Sequence, residues 1–243
     1  MKLETQPSPN FDARPDGVAP EFLVLHYTDT KDRAESLSYL LDPAKQVSAH
    51  YLIDMDGTIL ALVPEDKRAW HAGVSCWRGK RDVNARSIGI EIQNPGHRLG
   101  YRDYPAIQID AVIELCRAIV DRHGIAPRDV VGHSDVAPSR KKDPGELFPW
   151  ERLAEAGIGL FPSNVARRHR STRDFGPGES DDAVTDAQNL LARFGYDIEA
   201  TGTLDNATHA VMVAFQRRFR PWKFDGRLDG ETHARLRALV AML

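Results

Sequence analysis

The hydrophobic and polar positions fall into two regimes along the chain. Over residues 22–157, short apolar runs alternate with helical stripes. Phe22-Leu23-Val24-Leu25 is continuous, the pattern of a strand buried on both faces, and His26 closes it. Residues 34–41 predict a short helix that stops before Pro43. Two β-rich runs within 48–63 flank Asp56-Gly57, a hairpin signal. Ser87–Ile92 alternates strictly: Ile88, Ile90 and Ile92 face one way, and Gly89 and Glu91 the other. Ala106–His123 carries Ile109, Val112, Ile113, Cys116, Ile119 and Val120 at helical spacing, with Gly124 placed to cap it. Residues 129–132 form another apolar strand, which delivers His133. Pro149 starts a closing helix at its first turn. Residues 1–20 are a polar, Pro-rich arm leading into the fold. This alternation predicts the α/β class, a central mixed β-sheet flanked by helices.

The second regime is helical. Residues 158–179 break the pattern with the basic, polar run 165–174 and Phe175-Gly176-Pro177-Gly178, and read as a linker. Within 180–243, Val184, Ala187, Leu190, Leu191 and Phe194 mark one amphipathic helix. An internal repeat then appears, in which residues 202–209 (GTLDNATH) match 226–233 (GRLDGETH). Each copy is a turn, an Asp at an N-cap position and a helix, so the tail predicts a small three-helix domain. His209 and His233 occupy equivalent places in the repeat, which suits helix-start packing rather than metal binding. The organisation expected is 1–157, a linker at 158–179, and 180–243.

Composition narrows the function. At 243 residues with 42% hydrophobic and 28% charged positions, the chain can bury a sizeable core. A formal net charge of -3 gives no footing for a nucleic-acid partner. Cys76 and Cys116 are too few for a disulfide framework and read as free thiols. No apolar run approaches the roughly 20 residues of a membrane span. The N-terminus shows no signal-peptide core. The expected place is therefore the cytoplasm, with the periplasm or cell envelope as the alternative if a leader has been removed.

The chemistry gathers at His133 and Asp143. A histidine ending one strand and a carboxylate ten residues on supply two ligands of an open Zn2+ site, and His26, ending another strand, supplies the third. Such a site leaves a position for water, whose pKa the metal lowers. No H-E-x-x-H helix is present. Glu91, beside Gly89 on an open strand face, is the candidate general base. Lys141, two residues before Asp143, is the candidate oxyanion electrophile. Trp70 and His71 are candidates for lining a substrate groove. Asn84 and Arg86 suit substrate carboxylates, though a solvated loop fits them equally. His50 reads as a buried core histidine.

These residues carry a family resemblance. The motifs SPNFDARP (8–15), LHYT (25–28), SAHY (48–51), WHAG (70–73), SIGIE (87–91) and the 133–143 stretch stand in order. Residues of about 8–157 thus resemble the type-2, zinc-dependent N-acetylmuramoyl-L-alanine amidases, in particular their AmpD/AmiD-like, muropeptide-cleaving branch. The resemblance implies zinc on His26, His133 and Asp143, with Glu91 and Lys141 catalytic. Phage-type members carry a tyrosine just before the His50 position, where this chain has Ala49. The tail is similar to the type-1 peptidoglycan-binding domain, on its repeat and the run Ala214-Phe215-Gln216-Arg217-Arg218-Phe219. A zinc hydrolase of peptidoglycan or muropeptides, acting as a monomer, is the function implied. The alternative is a peptidoglycan-recognition protein that has lost catalysis; a pure binder would usually lack a ligand, and all three are present here.

Overall fold

The computed structural model describes residues 3–166 and 173–243. In chain order the strands are β1 (Leu3–Thr5), β2 (Phe11–Ala13), β3 (Phe22–Tyr27), β4 (Tyr51–Ile53), β5 (Ile59–Ala61), β6 (Lys67–Ala69), β7 (Cys76–Trp77), β8 (Lys80–Arg81), β9 (Ser87–Ile92) and β10 (Val130–Gly132). The helices are α1 (Arg33–Leu40), α2 (Gly96–Leu99), α3 (Ala106–His123), α4 (His133–Val136), α5 (Trp150–Glu155), α6 (Asp182–Phe194), α7 (Asn206–Phe219) and α8 (Gly230–Val240).

Six strands form one sheet in the order β1-β5-β4-β9-β3-β10. Only the β4–β5 hairpin pairs antiparallel within it, so the sheet is mixed. The hairpin turns where Asp56-Gly57 predicts: Gly57 has φ 82° and donates its N–H to the Asp54 carbonyl. β3 is buried from Phe22 to His26, and its apolar residues share one core cluster with those of α3 and the tail helices. The α3 stripe lies on the sheet through Ile109, Val112, Leu115, Cys116 and Ile119, each burial contributing about 1.5–3 kcal/mol before entropy is counted. Its C-terminus closes on Gly124 at φ 64°.

The N-terminal arm is a structural part of the sheet. β1 lies parallel to β5 at the sheet edge, and β2 pairs with β6. Buried Asn10 anchors it by donating from Nδ2 to the Asp42 and Val47 carbonyls, both at 2.9 Å. Backbone pairing of this kind needs no apolar run, which is why a polar, Pro-rich stretch conceals it.

The tail folds as three helices. Asp205 and Asp229 cap α7 and α8, accepting the N–H of Thr208 at 2.8 Å and of Thr232 at 3.0 Å. The repeat extends to a pair of buried glutamines. Gln188 accepts from the Gly202 N–H and donates to the Thr203 carbonyl and Thr208. Gln216 does the same with Gly226, Arg227 and Thr232. His209 packs beside Gly226, and His233 pairs with Asp186 at 2.7 Å.

The tail shares a buried core with the sheet region. Trp77 meets Phe194 and Tyr196 edge to face, and Arg78 donates its N–H to the Gly195 carbonyl. Within the stretch expected as a linker, Ile158, Phe161 and Phe175 are buried, and Phe175 pairs with Leu228. Residues 167–172 of the basic run lie outside the described residues. Among the described residues, no helix is long and apolar enough to cross a membrane.

Candidate active site

The site is a consequence of strand register. In the parallel pair β3–β9, His26 stands opposite Glu91. In the pair β3–β10, Leu25 stands opposite Gly132, so His133 follows beside His26. Three neighbouring parallel strands thus present Glu91, His26 and the start of α4 at the same level, at the carboxyl ends where α/β sheets place their sites. The loop after α4 returns Asp143, and the Ser134 N–H donates to the Asp143 carbonyl at 2.9 Å to hold the return. A side chain at 132 would strike Pro144, since a Cβ there lies 2.8 Å from its Cδ.

His26 Nδ1, His133 Nδ1 and Asp143 Oδ2 lie 2.9–3.0 Å from one another, and all three residues are buried. The surrounding hydrogen bonds fix which nitrogens carry protons. His133 Nε2 faces the Ala72 carbonyl at 3.0 Å; a carbonyl only accepts, so the proton is on Nε2 and Nδ1 is bare. For His26 the assignment runs through a relay. Ser87 Oγ donates to the Val83 carbonyl at 2.6 Å and therefore accepts from His71 Nε2 at 3.1 Å. His71 Nδ1 is then an acceptor and takes the His26 Nε2 proton at 3.0 Å, which leaves His26 Nδ1 bare. Two bare imidazole nitrogens and a carboxylate oxygen meet with no proton between them.

Charge follows the same logic. Burial and neighbouring His133 bring His26 down to about 4, so its ring is neutral at physiological pH. Three lone-pair donors this close repel one another unless a cation sits among them. The set, two neutral imidazoles and one carboxylate, fits a divalent metal.

Glu91 stands beside this triangle. Burial, then the Asp143 charge, raise its carboxyl well above the usual range, while Lys141 pulls it back down. Its Oε2 is shut away from solvent without a hydrogen-bond partner among the described residues. Glu91 and Lys141 both line a cavity of about 450 Å³ with Tyr27, Asp29, Arg98 and the metal donors. A second cavity of about 530 Å³, lined by Asp12, Arg68, Trp70 and Asn84, shares His71, His133, Arg140 and Lys141 with the first. The two cavities meet at His133, one corner of the donor triangle.

The remaining expected site residues separate. Trp70 faces the second cavity. His71, expected to line a groove, is 7% exposed and works mainly behind His26, resting on Gly89, where a Cβ would lie 2.4 Å from its ring. Asn84 touches the second cavity, but its Oδ1 is taken by the backbone N–H groups of His71 and Ala72. Arg86 is in the lining of neither cavity and donates to Glu21 at 2.6 Å, an ion pair that a short polar loop gives no hint of. His50 is fully buried, as read from sequence. Sequence reasoning missed Arg140, which donates to the Ala72 and Val74 carbonyls and braces the loop between the cavities, and Ser87, which terminates the relay. Neither carries a local pattern signal.

Comparisons with known proteins agree with this fold. The N-acetylmuramoyl-L-alanine amidase family profile matches residues 16–146, and a peptidoglycan binding domain profile matches 180–236. N-acetylmuramoyl-L-alanine amidase AmiD of Escherichia coli is 41% identical over 230 residues, covering 90% of this chain and 81% of that protein. The E. coli 1,6-anhydro-N-acetylmuramyl-L-alanine amidase AmpD is 39% identical over 164 residues, 60% of this chain and 87% of that protein. The solved structure of the E. coli N-acetylmuramyl-L-alanine amidase AmiD in complex with the substrate anhydro-N-acetylmuramic acid-L-Ala-D-gamma-Glu-L-Lys superposes with a TM-score of 0.77 at 39% identity, covering 94% of this chain and 92% of that one. With a profile spanning most of the sheet region and a relative matching nearly the whole chain, this protein belongs to the N-acetylmuramoyl-L-alanine amidase family and is an amide hydrolase.

Proposed function

We propose that this amidase is zinc-dependent and cleaves the amide joining the lactyl group of N-acetylmuramic acid to the L-alanine of the stem peptide. The observation that carries the reading is the pairing of bare donors on His26, His133 and Asp143 with the orphaned Oε2 of Glu91 in the next strand. Zinc, when bound, supplies a Lewis acid that acidifies water and polarises the carbonyl. Glu91, with its raised proton affinity, takes the proton of the attacking water and returns it to the leaving amine. Lys141, half-buried where the cavities meet, offsets the charge developing on the carbonyl oxygen. Trp70, with Asn84 and His71 behind it, bounds one arm of the substrate groove, and Tyr27 and Arg98 bound the other.

We take residues 1–157 as the catalytic unit, 158–179 as its connection and 180–243 as a wall-binding unit. We take the protein to act as a monomer. A tail matching a polymer-binding family favours action at the cell envelope; fractionation that finds the native protein wholly in the cytoplasm would instead assign it to recycling. The central test is Glu91→Ala. Bound zinc should stay at one per chain, while release of stem peptide from an anhydro-muropeptide falls about 10²–10⁴-fold. Turnover near that of the unsubstituted enzyme would overturn the role of Glu91.

A further inference from the structure

The helix that begins with metal donor His133 is held from behind by the tail. Asp135, two residues on, is buried, and each of its carboxylate oxygens is occupied. Oδ2 accepts from the Gly132 N–H at 2.8 Å and from Arg218 Nη1 at 2.6 Å. Oδ1 accepts from the Tyr196 hydroxyl at 2.6 Å. Arg218 and Tyr196 both belong to the tail. Arg218 also donates from Nη2 to the Val130 carbonyl at 3.0 Å and lies 4.0 Å over the Trp150 ring. The tail therefore grips the last strand before His133 and the first turn that carries it.

From this we infer that Arg218 and Tyr196 are positioning residues of the metal centre, so that the tail sets the metal affinity of the catalytic region besides any part in binding wall. The inference rests on the metal reading above. Its physical basis is that α4 is a single turn of four residues, His133–Val136, too short to hold its own direction. With the clamp in place, the Gly132–His133 backbone is pinned on one side by Asp135 and on the other by the Ser134–Asp143 bond. Without it, Asp135 loses two of its three donors, and the His133 ring is no longer aimed at His26 and Asp143. Outer partners of metal ligands typically govern affinity by about 10–100-fold.

The test measures zinc affinity of the full-length protein by competition with a chelating dye, together with the visible spectrum of the Co2+ form. Tyr196→Phe removes one hydroxyl, and Asp135→Asn with Arg218→Met removes the ion pair without stranding a buried charge. Arg78→Met is the control: it breaks the pair with Asp129, 2.8 Å long, beside the same interface but away from Asp135. The expected result is about a tenfold or greater loss of zinc affinity in the double variant, a smaller loss in Tyr196→Phe, altered Co2+ bands in both, and an unchanged affinity in Arg78→Met. Affinities within twofold of the unsubstituted protein in both clamp variants would overturn the inference, as would an equal loss in Arg78→Met. An unsubstituted protein that binds no zinc would instead overturn the metal reading.

Discussion

Two buried polar clusters flank the end of β10, only two residues apart, and they differ in how their hydrogen bonds are satisfied. At Asp135, one carboxylate meets three donors, from Gly132, Arg218 and Tyr196, and the account closes. At His133, the ring meets two more acceptors, His26 Nδ1 and Asp143 Oδ2, and the account does not close. Burial is the same at both. A buried group whose partners complete it supports structure. A buried group whose partners repeat its own polarity is stable only when something else joins it, and that is the signature of a binding site.

The widest separation between the clusters should come from Asp143→Ala. It removes one of three facing acceptors, so zinc binding and peptide release should both collapse, the latter on the order of 10³-fold if the metal supplies several kcal/mol to the transition state. Chelator treatment should lower the melting temperature of the unsubstituted protein and leave that of Asp143→Ala unmoved, because only the former has bound metal to lose. A chelator effect of equal size in both proteins would show that the triangle is not where the metal acts.

The next effect concerns a closed cluster and is a matter of pH. His50 accepts the Gly89 N–H at Nδ1 and faces the Lys67 carbonyl with Nε2, an arrangement that needs the neutral ring. Burial brings it down to about 4. The unfolded ring takes up a proton below about 6.5, and the folded one only below about 4. The unfolded state therefore binds more protons in that window, and His50 withdraws up to about 3 kcal/mol of stability as pH falls from 6.5 towards 4. Denaturant titrations across this range should show the loss, and His50→Gln should flatten that part of the slope. An unchanged slope would place the acid sensitivity elsewhere.

The smallest expected effect sharpens the comparison most. Ser87→Ala removes the hydroxyl that commits His71, and through it His26, to the tautomers that leave His26 Nδ1 bare. Zinc affinity should fall about tenfold with little change in unfolding. Ser87→Thr, which keeps the hydroxyl, should restore affinity wherever its extra methyl is accommodated. An affinity unaltered in Ser87→Ala would mean that the His26 tautomer does not depend on the relay.

Much of this was legible along the chain because it is local. The continuous run before His26, the Asp56-Gly57 turn, the stripe of α3 and the capped repeat each depend on spacing within a few residues, and each formed where the pattern predicts. The three candidate donors, which the structure brings together, were also readable, since a histidine at a strand end and a carboxylate shortly after it are local features. Other features were hidden for the opposite reason. Arg86 pairs with a glutamate 65 positions earlier, and the polar arm of residues 1–20 gains its strands from partners more than 50 positions away.

By itself, then, the order of residues determined the class of fold, the elements, the candidate donors and the kind of reaction, because periodicity, turns and ligand chemistry are written in short stretches. Only the tertiary structure decided that Glu91 stands level with His26, that His71 backs His26 while also touching both cavities, and that the tail grips the turn beginning at His133. Those are contacts between residues 45, 65 and 83 positions apart, and which distant groups meet is set by sheet register and by the complete packing of the core.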